Sequence, residues 1–230
     1  YRETGENWCR EHHCALISVY IKTQSDSAAN LQRVAEQGYA VLDRRELLKL
    51  LDSREANNDI YNDFRDRLRE IEHSESQFTG KVVSEWDGND WKGLYQALDA
   101  AGVIENWGYV NNPSGGFWNA LLNWFESDDA YPFMQIEQGN LCFKIGEIEV
   151  DHSTIRNRYH DFLMNHGGSE LGMQKPARFG CGSYMTVAVI PRSIWLGGDA
   201  EIINLKAVVA RLERYKSWFV EVLDLRAPTE

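Results

Sequence analysis

Phe133-Met-Gln-Ile-Glu-Gln-Gly-Asn-Leu-Cys-Phe-Lys-Ile145 is the stretch whose reading decides the fold. Phe133 to Ile136 and Leu141 to Ile145 are strand-length apolar runs separated by Gln138, Gly139 and Asn140, and Gly and Asn tolerate the positive φ of a tight turn. The pattern predicts a β-hairpin. Farther along, Tyr184 to Ile190 reads as another strand, and Leu205 to Leu223 carries Leu205, Val208, Val209, Leu212, Tyr215, Phe219 and Val222 at helical spacing. We expect hairpin and strand to share one mixed or antiparallel sheet. Amphipathic helices should cover it: Leu205 to Leu223, or Asp59 to His73, whose Ile60, Phe64, Leu68 and Ile71 line one side. The fold class expected is α+β.

Outward from the hairpin, His152 to Asn165 reads as a helix that stops at Gly167 and Gly168. Upstream, Trp91, Leu94, Tyr95 and Leu98 mark a helix with Asn89 and Asp90 as capping candidates, followed by a strand at Trp107 to Val110 and a turn from Asn111 to Gly116. Nearer the start, Ala15 to Lys22 alternates as a strand, Gln24 to Asn30 reads as a polar loop, and Tyr39 to Leu42 as a second strand. Asp43 then caps a helix holding Leu47, Leu48, Leu50 and Leu51, with Glu46 at the capping-box position. The polar stretch Ser74 to Gly80 suggests a seam between a strand-helix part, residues 1–73, and an α+β part, residues 81–230.

The 230 residues are 43% hydrophobic and 26% charged, which is an ordinary globular balance, and no apolar run approaches the length of a membrane helix. No membrane partner is expected. With 24 Lys and Arg against 35 Asp and Glu, the net charge of −11 opposes non-specific binding to phosphate backbones. That acidity is uneven: residues 81–140 hold two basic and nine acidic side chains, whereas residues 141–230 hold eleven of each. Any face that meets nucleic acid should therefore lie in the last third. Cys9, Cys14, Cys142 and Cys181 are too sparse for a disulfide scaffold, and free buried thiols in a reducing cytoplasm are the simplest reading.

Among residues that carry chemistry, Lys175-Pro-Ala-Arg-Phe-Gly-Cys-Gly-Ser183 is the best ligand-binding candidate. Lys175 and Arg178 supply charge-assisted donors, and Gly180 and Gly182 permit close approach of an anion to the backbone. The competing account is a glycine-bent lead-in to the strand that follows. Glu137 and Lys144 imitate an acid and lysine of a metal site, but the turn between them makes a cross-strand ion pair the better reading. Asp151 and His152 have the types of an orienting acid and a base without an accompanying nucleophile. Cys9, His12, His13 and Cys14 lack the spacing of a zinc site. Trp107, Trp118 and Trp124 are aromatic enough to stack bases, although such residues more often fill cores.

Taken in order, Ile17-Ser-Val-Tyr-Ile-Lys, Gly38-Tyr-Ala-Val-Leu-Asp, Trp107-Gly-Tyr-Val-Asn-Asn, Gly115-Gly-Phe-Trp, Gln135-Ile-Glu, Leu141-Cys-Phe-Lys-Ile and Gly180-Cys-Gly-Ser-Tyr-Met-Thr-Val-Ala resemble the region that follows the catalytic core in a bacterial group of the PD-(D/E)XK nuclease superfamily. The resemblance implies that Tyr1-Arg-Glu is the tail of a core helix, and that the family's metal-binding carboxylates and lysine, with their Mg²⁺, lie upstream of Tyr1. No catalytic residue and no cofactor are expected within this chain. The implied function is an accessory C-terminal domain that positions nucleic acid, DNA reached through the parent protein, or a protein partner. The alternative is a protein–protein interaction module without a nucleic-acid role, and an enzyme with a new site near Lys175 to Gly182 is a third class.

Overall fold

The computed structural model describes residues 2–111, 115–127, 130–137 and 139–225, so Asn112 to Ser114 and Gln138 of the expected turns lie outside the described residues. The chain forms two compact units that divide between Glu75 and Ser76.

The N-terminal unit runs α1 (Arg2–Glu11), β1 (Val19–Ile21), α2 (Ala28–Glu36), β2 (Ala40–Leu42), α3 (Arg44–Asp52) and α4 (Asp59–Ser76). β1 and β2 pair in parallel, with Val19 opposite Ala40 and Ile21 opposite Leu42. Parallel neighbours need a crossover connection, and α2 supplies it where a loop was expected. Ser27 starts that helix by accepting the Asn30 N–H at 3.2 Å, and no residue of α2 is buried, so its apolar signal is faint. α3 begins as expected, with the Asp43 carboxylate accepting the Glu46 N–H at 2.8 Å. The apolar core here is small: Leu47, Leu48 and Leu68, with Leu42 and Leu51 against them. Of the expected α4 stripe only Leu68 is buried, while Ile60 is 81% exposed and Phe64 44%.

A buried charge network supplements that core. Arg44 donates to Glu72 at 2.9 and 2.7 Å, to Glu75 at 2.6 Å and to the Ser25 hydroxyl at 2.9 Å, while Arg45 holds the other Glu72 oxygen at 2.6 Å. The network ties the start of α3 to the end of α4. Burial raises the Glu72 carboxyl, but the bonds from Arg45 and Arg44 outweigh it and hold the group below its ordinary value.

The second unit contains α5 (Gly88–Ala100), β3 (Asn106–Val110), β4 (Phe117–Trp124), β5 (Tyr131–Glu137), β6 (Asn140–Gly146), α6 (His152–Leu163), β7 (Met185–Pro191), α7 (Arg192–Trp195) and α8 (Leu205–Asp224). Its five strands lie in the order β3-β4-β5-β6-β7, every pair antiparallel. The hairpin and the later strand share this sheet as expected, with Gln135 opposite Cys142 and Cys142 opposite Val189. One face buries Leu122, Met134, Ile136, Leu141, Phe143 and Ile145 against Leu94 and Leu98 of α5, Tyr159 and Leu163 of α6, and Val208, Leu212 and Phe219 of α8. Of the two helices expected to cover the sheet, α8 does so, while Leu68 of α4 packs within the N-terminal unit. Asp87 caps α5 in a reciprocal box with Asp90, which corrects the expected caps at Asn89 and Asp90. Lys81 holds the fully buried Asp90 carboxylate at 3.0 and 2.9 Å.

Candidate functional site

The segment singled out in the sequence, Lys175 to Ser183, leads from the turn after α6 into β7. Both of its ends are fastened. Gln174 exchanges two backbone hydrogen bonds with Val189, at 2.8 and 3.0 Å, and the Ile148 N–H donates to the Ser183 carbonyl at 3.2 Å. Between these anchors, α6 supplies the bracing. Arg156 donates to the Gly180 carbonyl at 2.7 Å, and Nδ1 of His152 donates to the Cys181 carbonyl at 2.6 Å. His160, one turn farther on, donates to the Val187 carbonyl at 2.8 Å and meets the Phe179 ring edge-on at 5.2 Å.

Phe179 is the hub of the loop. The Arg156 guanidinium carbon and the Lys175 ammonium each lie 4.6 Å from its ring centroid, a distance at which a cation is attracted to an aromatic quadrupole. Lys175 and Arg178 are exposed, and among the described residues neither is paired with a carboxylate. Lys175 and Arg178 thus stand on one short, anchored segment of an otherwise acidic chain, with Arg156 of α6 bonded to it. Such a segment can hold a phosphate or carboxylate by charge-assisted hydrogen bonds.

A Cβ at Gly180 would meet nothing within 4 Å, one at Gly182 only the Tyr184 carbonyl oxygen at 4.0 Å, and neither takes a positive φ. The fold does not demand glycine at either position, and the carbonyls of Gly180 and Cys181 are engaged by α6.

The other sequence candidates resolve into bracing. Glu137 and Lys144 form an ion pair that passes the Gln135–Cys142 position on the same face, and Gln135 donates to Glu137 at 3.1 Å. Beneath them, burial and the nearby Glu137 push the Cys142 thiol up to about 12, so it is protonated and unreactive at neutral pH. The expectation of buried thiols holds for Cys9 and Cys142 but not for Cys14 and Cys181, which are exposed. Asp151 adopts a left-handed φ of 50° and makes no capping bond, while His152 is committed to the loop carbonyl. His12 donates to the Trp8 carbonyl at 2.8 Å and stacks on the Trp8 ring. Among the described residues, no group of three or more His, Cys, Asp or Glu side chains is placed to hold a metal ion, and no helix is long and apolar enough to cross a membrane. An open depression of about 530 Å³ lined by Glu55, Ala56, Asn57, Asn62 and Arg65 has no buried wall to enclose a ligand.

Trp107 is core, 3% exposed, and Trp118 packs against the same core. Trp124 is different: 38% of it is exposed. Its sequence neighbourhood, which mixes apolar and polar residues, gave no sign of the difference, which follows from its place at the end of β4. No protein-family model, curated protein or solved structure matches the chain.

Proposed function

We propose that this chain is a non-catalytic binding domain that holds a nucleic-acid strand by its phosphates through the loop 175–182. It would serve as the accessory C-terminal domain of a longer cytoplasmic PD-(D/E)XK-type nuclease, whose Mg²⁺ chemistry belongs to a separate core. The nuclease part of this reading rests on the order of sequence motifs alone. The anion-binding part is supported by one observation above all: Lys175 and Arg178 are exposed and, among the described residues, in no ion pair with a carboxylate, on a loop anchored at both ends and braced by Arg156. Ordering costs for such a loop are largely met before a ligand arrives, so most of the new interaction appears as affinity.

The test is an Arg178→Ala substitution, read by fluorescence anisotropy on a labelled oligonucleotide at several salt concentrations. Loss of one charge-assisted contact should weaken binding by about 1–3 kcal/mol. The slope of log affinity against log salt should also fall by about 0.7 to 0.9 for the lost phosphate contact. Folding should not change, because Arg178 is exposed. Unchanged binding and an unchanged slope in both Arg178→Ala and Lys175→Ala would end this reading. The net charge of −11, with exposed Glu147, Glu149 and Asp151 beside Ile148 and His152, which bond the Ser183 and Cys181 carbonyls, favours a second reading in which the domain binds a protein. Absence of oligonucleotide binding by the wild-type chain at low salt is the outcome that would promote it.

A further inference from the structure

The antiparallel order brings the end of β4, the start of β5, the end of β6 and the start of β7 to one end of the sheet, and the loop 175–182 arrives there too. Trp124 stacks on Phe133 with ring centroids 4.5 Å apart and planes 22° from parallel. Phe133 is 3% exposed beneath it, so the outer surface of Trp124 is the accessible one. Tyr184 lies against the same pair, 6.3 Å from Phe133 and 6.5 Å from Trp124, and is 54% exposed. Its ring occupies the notch left by Gly146, where a Cβ would come within 2.6 Å of the Tyr184 ring. The Lys144 ammonium sits 5.8 Å from the Phe133 centroid.

We infer that Trp124 and Tyr184 form a stacking surface for unpaired bases, and that the nucleic acid held by Lys175 and Arg178 is therefore single-stranded. This deepens the reading proposed above and rests on it. Tyr184 follows Gly182 by two residues, so rings and cations adjoin along the chain itself. A base in a duplex has both faces covered by its neighbours, whereas an unpaired base can lie on an exposed aromatic ring while its phosphates reach nearby cations. Glu126, Glu147 and Glu149 are also exposed near this end, which confines the phosphates to the loop side and weakens binding as a whole.

The experiment compares three probes on the full chain at low salt: a labelled oligothymidylate, a hairpin duplex of the same length, and inorganic tripolyphosphate, which carries charge without bases. Oligothymidylate should bind more tightly than the duplex. Trp124→Ala and Tyr184→Leu should each weaken oligothymidylate about tenfold or more, within the range of one lost stacking contact, and leave tripolyphosphate unchanged. Tyr184→Leu keeps the Gly146 notch covered by an apolar side chain, which guards against a result that reflects misfolding of Trp124→Ala. Equal binding of duplex and single strand, or full oligothymidylate binding by both ring variants, overturns the stacking inference while leaving the loop's anion binding intact. Failure of the anion-binding reading looks different: Arg178→Ala would leave both oligothymidylate and tripolyphosphate binding unaltered.

Discussion

Replacing Arg44 by Met tests how the N-terminal unit is held together. The guanidinium is 4% exposed, as is Glu75, and three of its bonds reach carboxylate oxygens at 2.6 to 2.9 Å. Charge-assisted bonds of about 1.5–3 kcal/mol each would sum to roughly 5–9 kcal/mol. They share one cation, however, and the desolvation of all the charged groups opposes them, so breaking the buried pair should cost about 3–5 kcal/mol. At about 0.05–0.15 kcal/mol per residue, a unit of this size is stable by only about 4–11 kcal/mol, and three buried leucines cannot absorb such a loss. Met preserves much of the volume, which isolates the charge effect. Native-state hydrogen exchange is the assay: amides of residues 40–52 should lose protection by about two to four orders of magnitude, since about 1.4 kcal/mol is tenfold. A loss below tenfold would refute the reasoning, because the network would then be a solvated surface cluster.

Gly168→Ala places a Cβ 2.6 Å from the Leu163 carbonyl oxygen and 2.9 Å from the Met173 sulfur, so it should destabilise by about 1–3 kcal/mol in urea melts. Gly180→Ala, with open space around it, should stay within about 0.5 kcal/mol, and a reversal of that order would overturn the packing argument. For pH, the Glu72 carboxyl is depressed in the folded state, so its stabilisation is fully present above the ordinary carboxyl range and is lost as pH falls through the folded value. The acid-side decline of protection in residues 40–52 should be shallower in Glu72→Gln than in wild type, and parallel curves would contradict it.

The legible parts of the fold were those where burial is one-sided or turns are chemically marked. The hairpin around Gly139, the helix at Leu205 and the Asp43 cap all belong to that class. β4 was not read, because Phe117 to Trp124 mixes apolar and polar residues without alternation and its pairing shifts between Leu121 and Asn123, where the Asn123 side chain accepts the Met134 N–H in place of a regular ladder bond. α2 escaped because it buries nothing, and its Ser-Asp-Ser approach is also loop chemistry. At the candidate site, Lys175 and Arg178 were visible from charge and spacing. Arg156 and His160 were not, and His152 stood out only as a base beside Asp151, since nothing in a helix sequence announces that its polar side will clasp carbonyls 23 to 29 residues away.

The strand order has a consequence for how the molecule assembles. β3 to β6 are successive neighbours joined by short connections, so each pairing closes a small loop and the four strands can zip up locally. β7 must return to β6 after an excursion through residues 147–184 that includes α6, and it therefore joins at the greatest cost in chain entropy. The Gln174–Val189 anchor and the Ile148–Ser183 bond close only once that strand has docked. The cationic loop is thus closed only when β7 has docked, and a ligand that grips it binds the finished sheet in preference to the partly folded one.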